Sequence, residues 1–236
     1  MRVAALSDIH GNLPALEAVL ADVAREDVGA IVVPGDTVSG PWPAEVFDAL
    51  AKTGAQIVRG NADRLVLERD DWHLATWSAD QLDEERLAAV SAWPLSLELD
   101  IDGLGRVLVC HSTPASDDPI YTRITADDEV IATLGPVGAD ALVCGHTHIQ
   151  YDRRLSNGLR LVNPGSVGLP YEGRRGAFWA LLGPDVEFRH TEYDVEATVR
   201  SIRALGAPVP ERLLELLLDP LDSDTATAEF EKVRAT

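Results

Sequence analysis

Over the first third of the chain, short apolar runs that end in polar residues alternate with amphipathic stretches, the pattern of strands joined through helical crossovers. Residues 2–7 (RVAALS) form the first run and read as a buried strand. Pro14 then opens a helix, in which Leu16, Val19, Leu20 and Val23 keep the i, i+3, i+4, i+7 spacing of one apolar face. A second strand covers Ala30 to Val33. The turn-rich GDTVSGPWP follows, then a helix from Ala44 to Lys52 and a third strand from Ala55 to Val58. Right-handed crossovers make this a layered sheet.

From about 65 to 93 the alternation stops, and a charged helical segment carries Trp72, Trp77 and Trp93. It reads either as a small cap over an active-site edge or as a plain surface excursion. Strands resume at Ser96 to Ile101 and Val107 to Cys110, a hairpin across Asp102-Gly103. Further strands are expected at Ala141 to Cys144, Leu159 to Val162, Phe178 to Leu182 and Val186 to His190. The tail, about 195–236, reads as a helical extension with helices over Val195 to Leu205 and Glu211 to Leu218. No internal repeat is seen, and one domain over residues 1–236 is the default for this length.

Composition changes the picture little. The chain has 39 acidic against 20 basic residues, a net charge of −19, so extended binding to DNA or RNA is not expected. Cys110 and Cys144 each close an apolar run outside any CxxC spacing, which suggests reduced, buried thiols. No run approaches the roughly 20 apolar residues of a membrane helix. The chain starts directly on a strand-like segment, so a cytoplasmic location is expected. A homodimer is the base-rate expectation for assembly.

The chemistry sits at the strand ends. Of six histidines, His10, His111, His146 and His148 follow apolar runs, whereas His73 and His190 lie outside any motif. Asp8 and His10 follow the first strand, Asp36 the second, Asn61 the third, His111 the fifth, and His146 with His148 the sixth. In open α/β sheets side chains delivered to those ends converge. Asp and His two positions apart on an extended or turn segment are expected to point to one side and share an ion. Oxygen and nitrogen donors without thiolate suit Mn²⁺, Fe, Ni²⁺ or Zn²⁺.

Taken in order, Asp8-Ile9-His10-Gly11-Asn12, Gly35-Asp36, Gly60-Asn61-Ala62-Asp63, His111, Gly145-His146-Thr147-His148 and Asn163-Pro164-Gly165-Ser166 resemble the calcineurin-like metallophosphoesterase superfamily. The small bacterial and archaeal phosphodiesterases are the most similar branch. The resemblance implies a four-layer α/β/β/α sandwich with two mixed sheets and two divalent ions, manganese being the first expectation. Asp36 would bridge them, with Asp8, His10 and His148 on one ion and Asn61, His111 and His146 on the other. Asp36 and Asn61 would carry catalysis, the nucleophile being a metal-bound hydroxide. A small phosphodiester or nucleotide is the implied substrate.

One departure matters: where monoesterases and protein phosphatases of the superfamily place a proton-donating His after the Asn, this chain has Ala62. Diesters and activated esters are therefore favoured, with a monoesterase or dinucleoside-polyphosphate hydrolase as the alternative. A non-catalytic scaffold on the same fold is the reading from another class; loss of ligand residues would mark it, and none is lost. Asp63 reads as a substitute acid or as a helix cap. Arg59 reads as a phosphoryl contact or a salt bridge at the sheet edge. Asn12 would orient the first loop or touch phosphate, and Asn61 would contact substrate. The segment 163–168 reads as architecture, and the loop Ser116 to Thr125 as a determinant of selectivity.

Overall fold

The computed structural model describes residues 1–71 and 73–235. The chain runs through β1 (Val3–Ala5), α1 (Leu13–Val23), β2 (Ala30–Val33), α2 (Pro43–Thr53) and β3 (Gln56–Ile57). Three helices follow: α3 (Asn61–Glu68), α4 (His73–Gln81) and α5 (Glu84–Ser91). Next come β4 (Ser96–Ile101), β5 (Gly105–Cys110), α6 (Asp127–Leu134), β6 (Ala141–Val143), β7 (Gln150–Arg154) and β8 (Arg160–Pro164). The hairpin β9 (Ala177–Leu182) and β10 (Val186–Thr191) precedes α7 (Val195–Leu205), α8 (Glu211–Leu218) and α9 (Ser223–Arg234).

These strands make two five-stranded mixed sheets, β10-β9-β1-β2-β3 and β4-β5-β6-β8-β7. In the first, β1, β2 and β3 are parallel, Val3 facing Ala30 and Val32 facing Gln56, and β9 runs antiparallel beside β1. In the second, β5, β6 and β8 are parallel, with antiparallel strands on both edges. The inner strands β1, β2, β6 and β9 are apolar on both faces, so each sheet must be covered twice. Val3, Ala5 and Val32 of one sheet meet Val107, Val109 and Val143 of the other in a core between the sheets. On the opposite face of the first sheet, Ala4 packs with Leu16 and Val19 of α1 and Val46 and Leu50 of α2. Beyond the second sheet, Leu108, Leu142 and Leu161 pack against Val130 and Leu134 of α6. The alternation of neighbours along β1 follows from its pleat, and the result is the α/β/β/α order of layers.

The interruption after β3 begins earlier than the composition suggests, because α3 starts at Asn61. Its three helices share a small core around Val66, Ala75, Ala79 and Val90, with Trp93 against it; Trp72 lies outside the described residues. α4 is tied to the loop after β2: Gly40 N–H donates to Ser78 Oγ (2.9 Å), and Trp77 Nε1 donates to the Pro41 carbonyl (3.4 Å). α6, β7 and α9 had no counterpart in the apolar pattern. Among the described residues no helix is long and apolar enough to cross a membrane.

Candidate metal centre

The parallel strands of the two sheets deliver all seven strand-end residues to one place. Asp8, His10, Asp36 and His148 bring one donor atom each to within 4.8 Å of one another. His148 Nε2 lies 3.4 Å from Asp8 Oδ1 and 3.1 Å from His10 Nε2. On the other side, His111 Nε2 lies 2.9 Å from Asn61 Oδ1 and 3.1 Å from His146 Nδ1. Asp36 stands between the two groups, its Oδ2 being 3.6 Å from His10 Nε2 and 3.5 Å from His111 Nε2.

The local backbone that achieves this is a turn rather than an extended segment. Asp8, His10, Asp36, His146 and His148 all have left-handed φ, between 47° and 73°. Beyond glycine, the only other such residue among those described is Arg69, which ends α3. Of the extended or turn segment that the i, i+2 spacing allowed, the turn is the one found, and tight left-handed turns aim each side chain inward. Such a conformation costs about 1–3 kcal/mol for a residue with a side chain, and it persists only where surrounding contacts enforce it. Here they do: His10 N–H donates to the Asp36 carbonyl (2.9 Å), Gly11 N–H to that of Thr37 (3.0 Å) and Asp8 N–H to that of Gly35 (3.1 Å). A methyl group on Gly60 would overlap the Asp36 carboxylate, which explains a glycine before Asn61.

The hydrogen bonds around the imidazoles fit a cation. His111 Nδ1 donates to the Pro34 carbonyl (2.8 Å), His148 Nδ1 to that of Leu169 (2.6 Å) and His146 Nε2 to that of Asp118 (3.1 Å). A ring bonded that way turns its remaining lone pair to the centre, the orientation of a metal-ligating histidine with its outer nitrogen held. Lone pairs facing one another or an amide oxygen at about 3 Å need a positive charge between them. Burial drives His10 down to about 3, with His148 adding to it, and burial with His111 brings His146 to about 3. Burial also works against ionisation of Asp8, but His148 beside it holds its carboxyl well below the usual range. Among the described residues no Lys or Arg pairs with Asp8 or Asp36, which are 0% and 3% exposed. Buried carboxylates without a cationic partner are costly, and a bound divalent ion supplies one.

The remaining candidates separate cleanly. Asp63 is buried and wholly engaged, accepting from Thr37 N–H (2.8 Å), Val38 N–H (2.9 Å) and Gly60 N–H (3.0 Å). It clips the Asp36 loop to the start of α3 through both of its oxygens, the capping role, while burial and Asp36 push its carboxyl up to about 7. Asn12 is likewise spent on architecture. Its amide donates to the Gly168 carbonyl (3.0 Å) and Tyr193 hydroxyl (3.1 Å), and its oxygen caps α1 at Ala15. Ala62, in the proton donor's position, is buried and donates its N–H to Asp36 Oδ1 (2.8 Å).

Arg59 lies 3.9 Å from Asp117, the salt-bridge alternative, and its Nε has no hydrogen-bond partner. Arg64, which the motifs did not single out, makes the tighter pairs, to Asp117 (3.1 Å) and Asp118 (2.6 Å). The 116–125 loop thus touches the centre through the Asp118 carbonyl on His146. The 163–168 segment is architecture: Ser166 Oγ donates to the Asp8 carbonyl (2.7 Å), and Asn163 Nδ2 to that of Gly145 (2.6 Å). Tyr171 was missed too; it stacks on His148 with ring centres 5.1 Å apart.

Residues 1–182 match the family model of the calcineurin-like phosphoesterase superfamily domain. The chain belongs to that superfamily. A metallophosphoesterase from Sphaerobacter thermophilus is 28% identical, with a TM-score of 0.75 over 93% of this chain and 99% of its own. The phosphodiesterase YfcE of Escherichia coli is 27% identical over 202 residues, 79% of this chain and 89% of its own. An uncharacterized protein of Methanocaldococcus jannaschii, MJ0912, is 27% identical over 228 residues, 85% of this chain and 91% of its own. The calcineurin-like phosphoesterase described here is accordingly a metal-dependent hydrolase of phosphoester bonds. Its candidate metal site is the cluster around Asp36.

Proposed function

We propose that this phosphoesterase hydrolyses small phosphodiesters, nucleotides among them, at two divalent ions held on either side of Asp36. The observation that carries the reading is the place of that carboxylate, within 3.6 Å of an imidazole nitrogen from each of the two groups. Asp8, His10 and His148 would hold one ion, and Asn61, His111 and His146 the other, with manganese the first choice for an oxygen and nitrogen donor set. When bound, such a pair supplies an activated water and charge to polarise the phosphoryl oxygens.

The chain's own residues do the rest. Asp36 is fixed by the Ala62 N–H, and Asp8 by the His146 N–H at 3.1 and 3.2 Å, so both carboxylates are oriented before substrate arrives. Asn61, on the first turn of α3, faces the same centre and is placed to contact a phosphoryl oxygen. Arg59, two positions before Asn61 in the chain, would supply a cationic contact to the phosphoryl group, its Nε having no hydrogen-bond partner in the protein. Ala62 has no proton to give and Asp63 is buried with both oxygens on backbone N–H groups, which favours esters with good leaving groups. The presence of every ligand position argues against a non-catalytic scaffold.

Manganese-loaded protein should cleave bis(p-nitrophenyl) phosphate faster than p-nitrophenyl phosphate, and Asp36→Ala should lower kcat at least about a thousandfold, a loss of several kcal/mol of stabilisation. Equal rates for Asp36→Ala and the parent protein, or no cleavage of the diester, would refute the proposal.

A further inference from the structure

Beside the metal cluster lies a cleft of about 80 Å³ whose floor includes His10, Ser39 and Pro41. Its walls are Leu74 of α4, Ile202 of α7, Val209, and Leu213 and Leu217 of α8. Apart from His10, no residue lining it is titratable, in a chain where a quarter of the residues are charged. The wall from α7 and α8 lies beyond residue 182, where the match to the superfamily domain ends.

We infer that this cleft is the subsite for a short apolar alcohol substituent of the phosphodiester, and that the C-terminal helices α7 and α8 set the selectivity. The inference rests on the diesterase reading, because a monoester has no second substituent to place there. Three features support it. The cleft shares His10 with the metal cluster, so an ester bound at the ions has one substituent against its mouth. Its lining is apolar, which rewards burial of alkyl or aryl surface and penalises a sugar or charged headgroup. Its volume is small for a ligand pocket, which suits a short group rather than a long acyl chain.

The test is calorimetric titration of manganese-loaded full-length protein with O-methyl, O-butyl and O-octyl methylphosphonate, stable monoanionic mimics of a diester. The Kd should fall about fourfold for each methylene from methyl towards butyl, the value for burying a CH₂, and level off by octyl. Leu213→Asp and Val209→Asp both place a charge in the wall at partly exposed positions, where refolding problems are smallest. Each should flatten the series, with circular dichroism confirming the fold. The same Kd for all three mimics, a gain that keeps growing through octyl, or variants with an unaltered series would overturn the subsite. Failure to hydrolyse bis(p-nitrophenyl) phosphate would instead overturn the diesterase reading, and the titration reads the cleft independently of turnover.

Discussion

At the scale of single residues, backbone geometry governs this site as much as side-chain identity. Asp8, His10, Asp36, His146 and His148 carry left-handed φ values, so their side chains converge from turns rather than from pleated strand ends. The ligand types and their order were legible, because each follows an apolar run. The turns were not, since Asp and His tolerate several conformations and only tertiary hydrogen bonds select this one. The same blindness hid the work of Asn12, whose contacts to Gly168 and Tyr193 bridge more than 150 positions of sequence. Glycine is required where backbone meets ligand. Gly60→Ala should therefore displace the Asp36 carboxylate and weaken metal binding at least about tenfold, as for other lost supports of ligands. Competition with a chelating dye measures it; unchanged affinity would show that the Asp36 loop yields easily.

Among the elements, those with a strong period were legible and those with mixed surfaces were not. β4 and the helices α7 and α8 fall where their patterns put them, residue for residue. β7 is an edge strand, QYDRR, paired only with β8, so four of its five residues are polar and no apolar run marks it. α9 buries only Ala226 and Thr227, and its polar side chains instead hold the selectivity loop, with Thr122 donating to Glu231 (2.6 Å) and Arg123 to Thr227 (3.2 Å). The tie between α3 and the loop after β2 is the element-scale contact with the largest consequence. Asp63→Ala leaves three buried N–H groups without their acceptor, which should destabilise the fold by about 3 kcal/mol or more. Thermal unfolding should show Tm lower by roughly 6–12 °C, and a drop of a degree or less would mean that water replaces the carboxylate.

Across the whole molecule, the two sheets act as a frame that carries seven candidate ligands from five strand ends to one point. The layered arrangement was readable from the alternation of strands and helices, but the pairing of the sheets came only through the superfamily resemblance. Periodicity says which faces are apolar, not which face meets which. The frame encloses two carboxylates that, among the described residues, no Lys or Arg pairs with, so a bound ion should stabilise the folded state. Manganese at a hundredfold over its Kd should add about 2.7 kcal/mol per site. The sign with pH follows from His111 and His148: burial works against their protonation, but Asp36 and Asp8 beside them raise both above the ordinary imidazole value, so protons compete with metal there and the gain in Tm should shrink as pH falls and return as it rises. A gain independent of pH from 8 to 5 would place the metal away from the histidines.

The central claim is that Asp36 sits between two ions. Anomalous diffraction from crystals grown with Mn²⁺ tests it most directly. Two peaks are predicted, one among Asp8, His10 and His148 and the other among Asn61, His111 and His146, with the Asp36 carboxylate touching both; a single peak, or peaks away from these side chains, would contradict it.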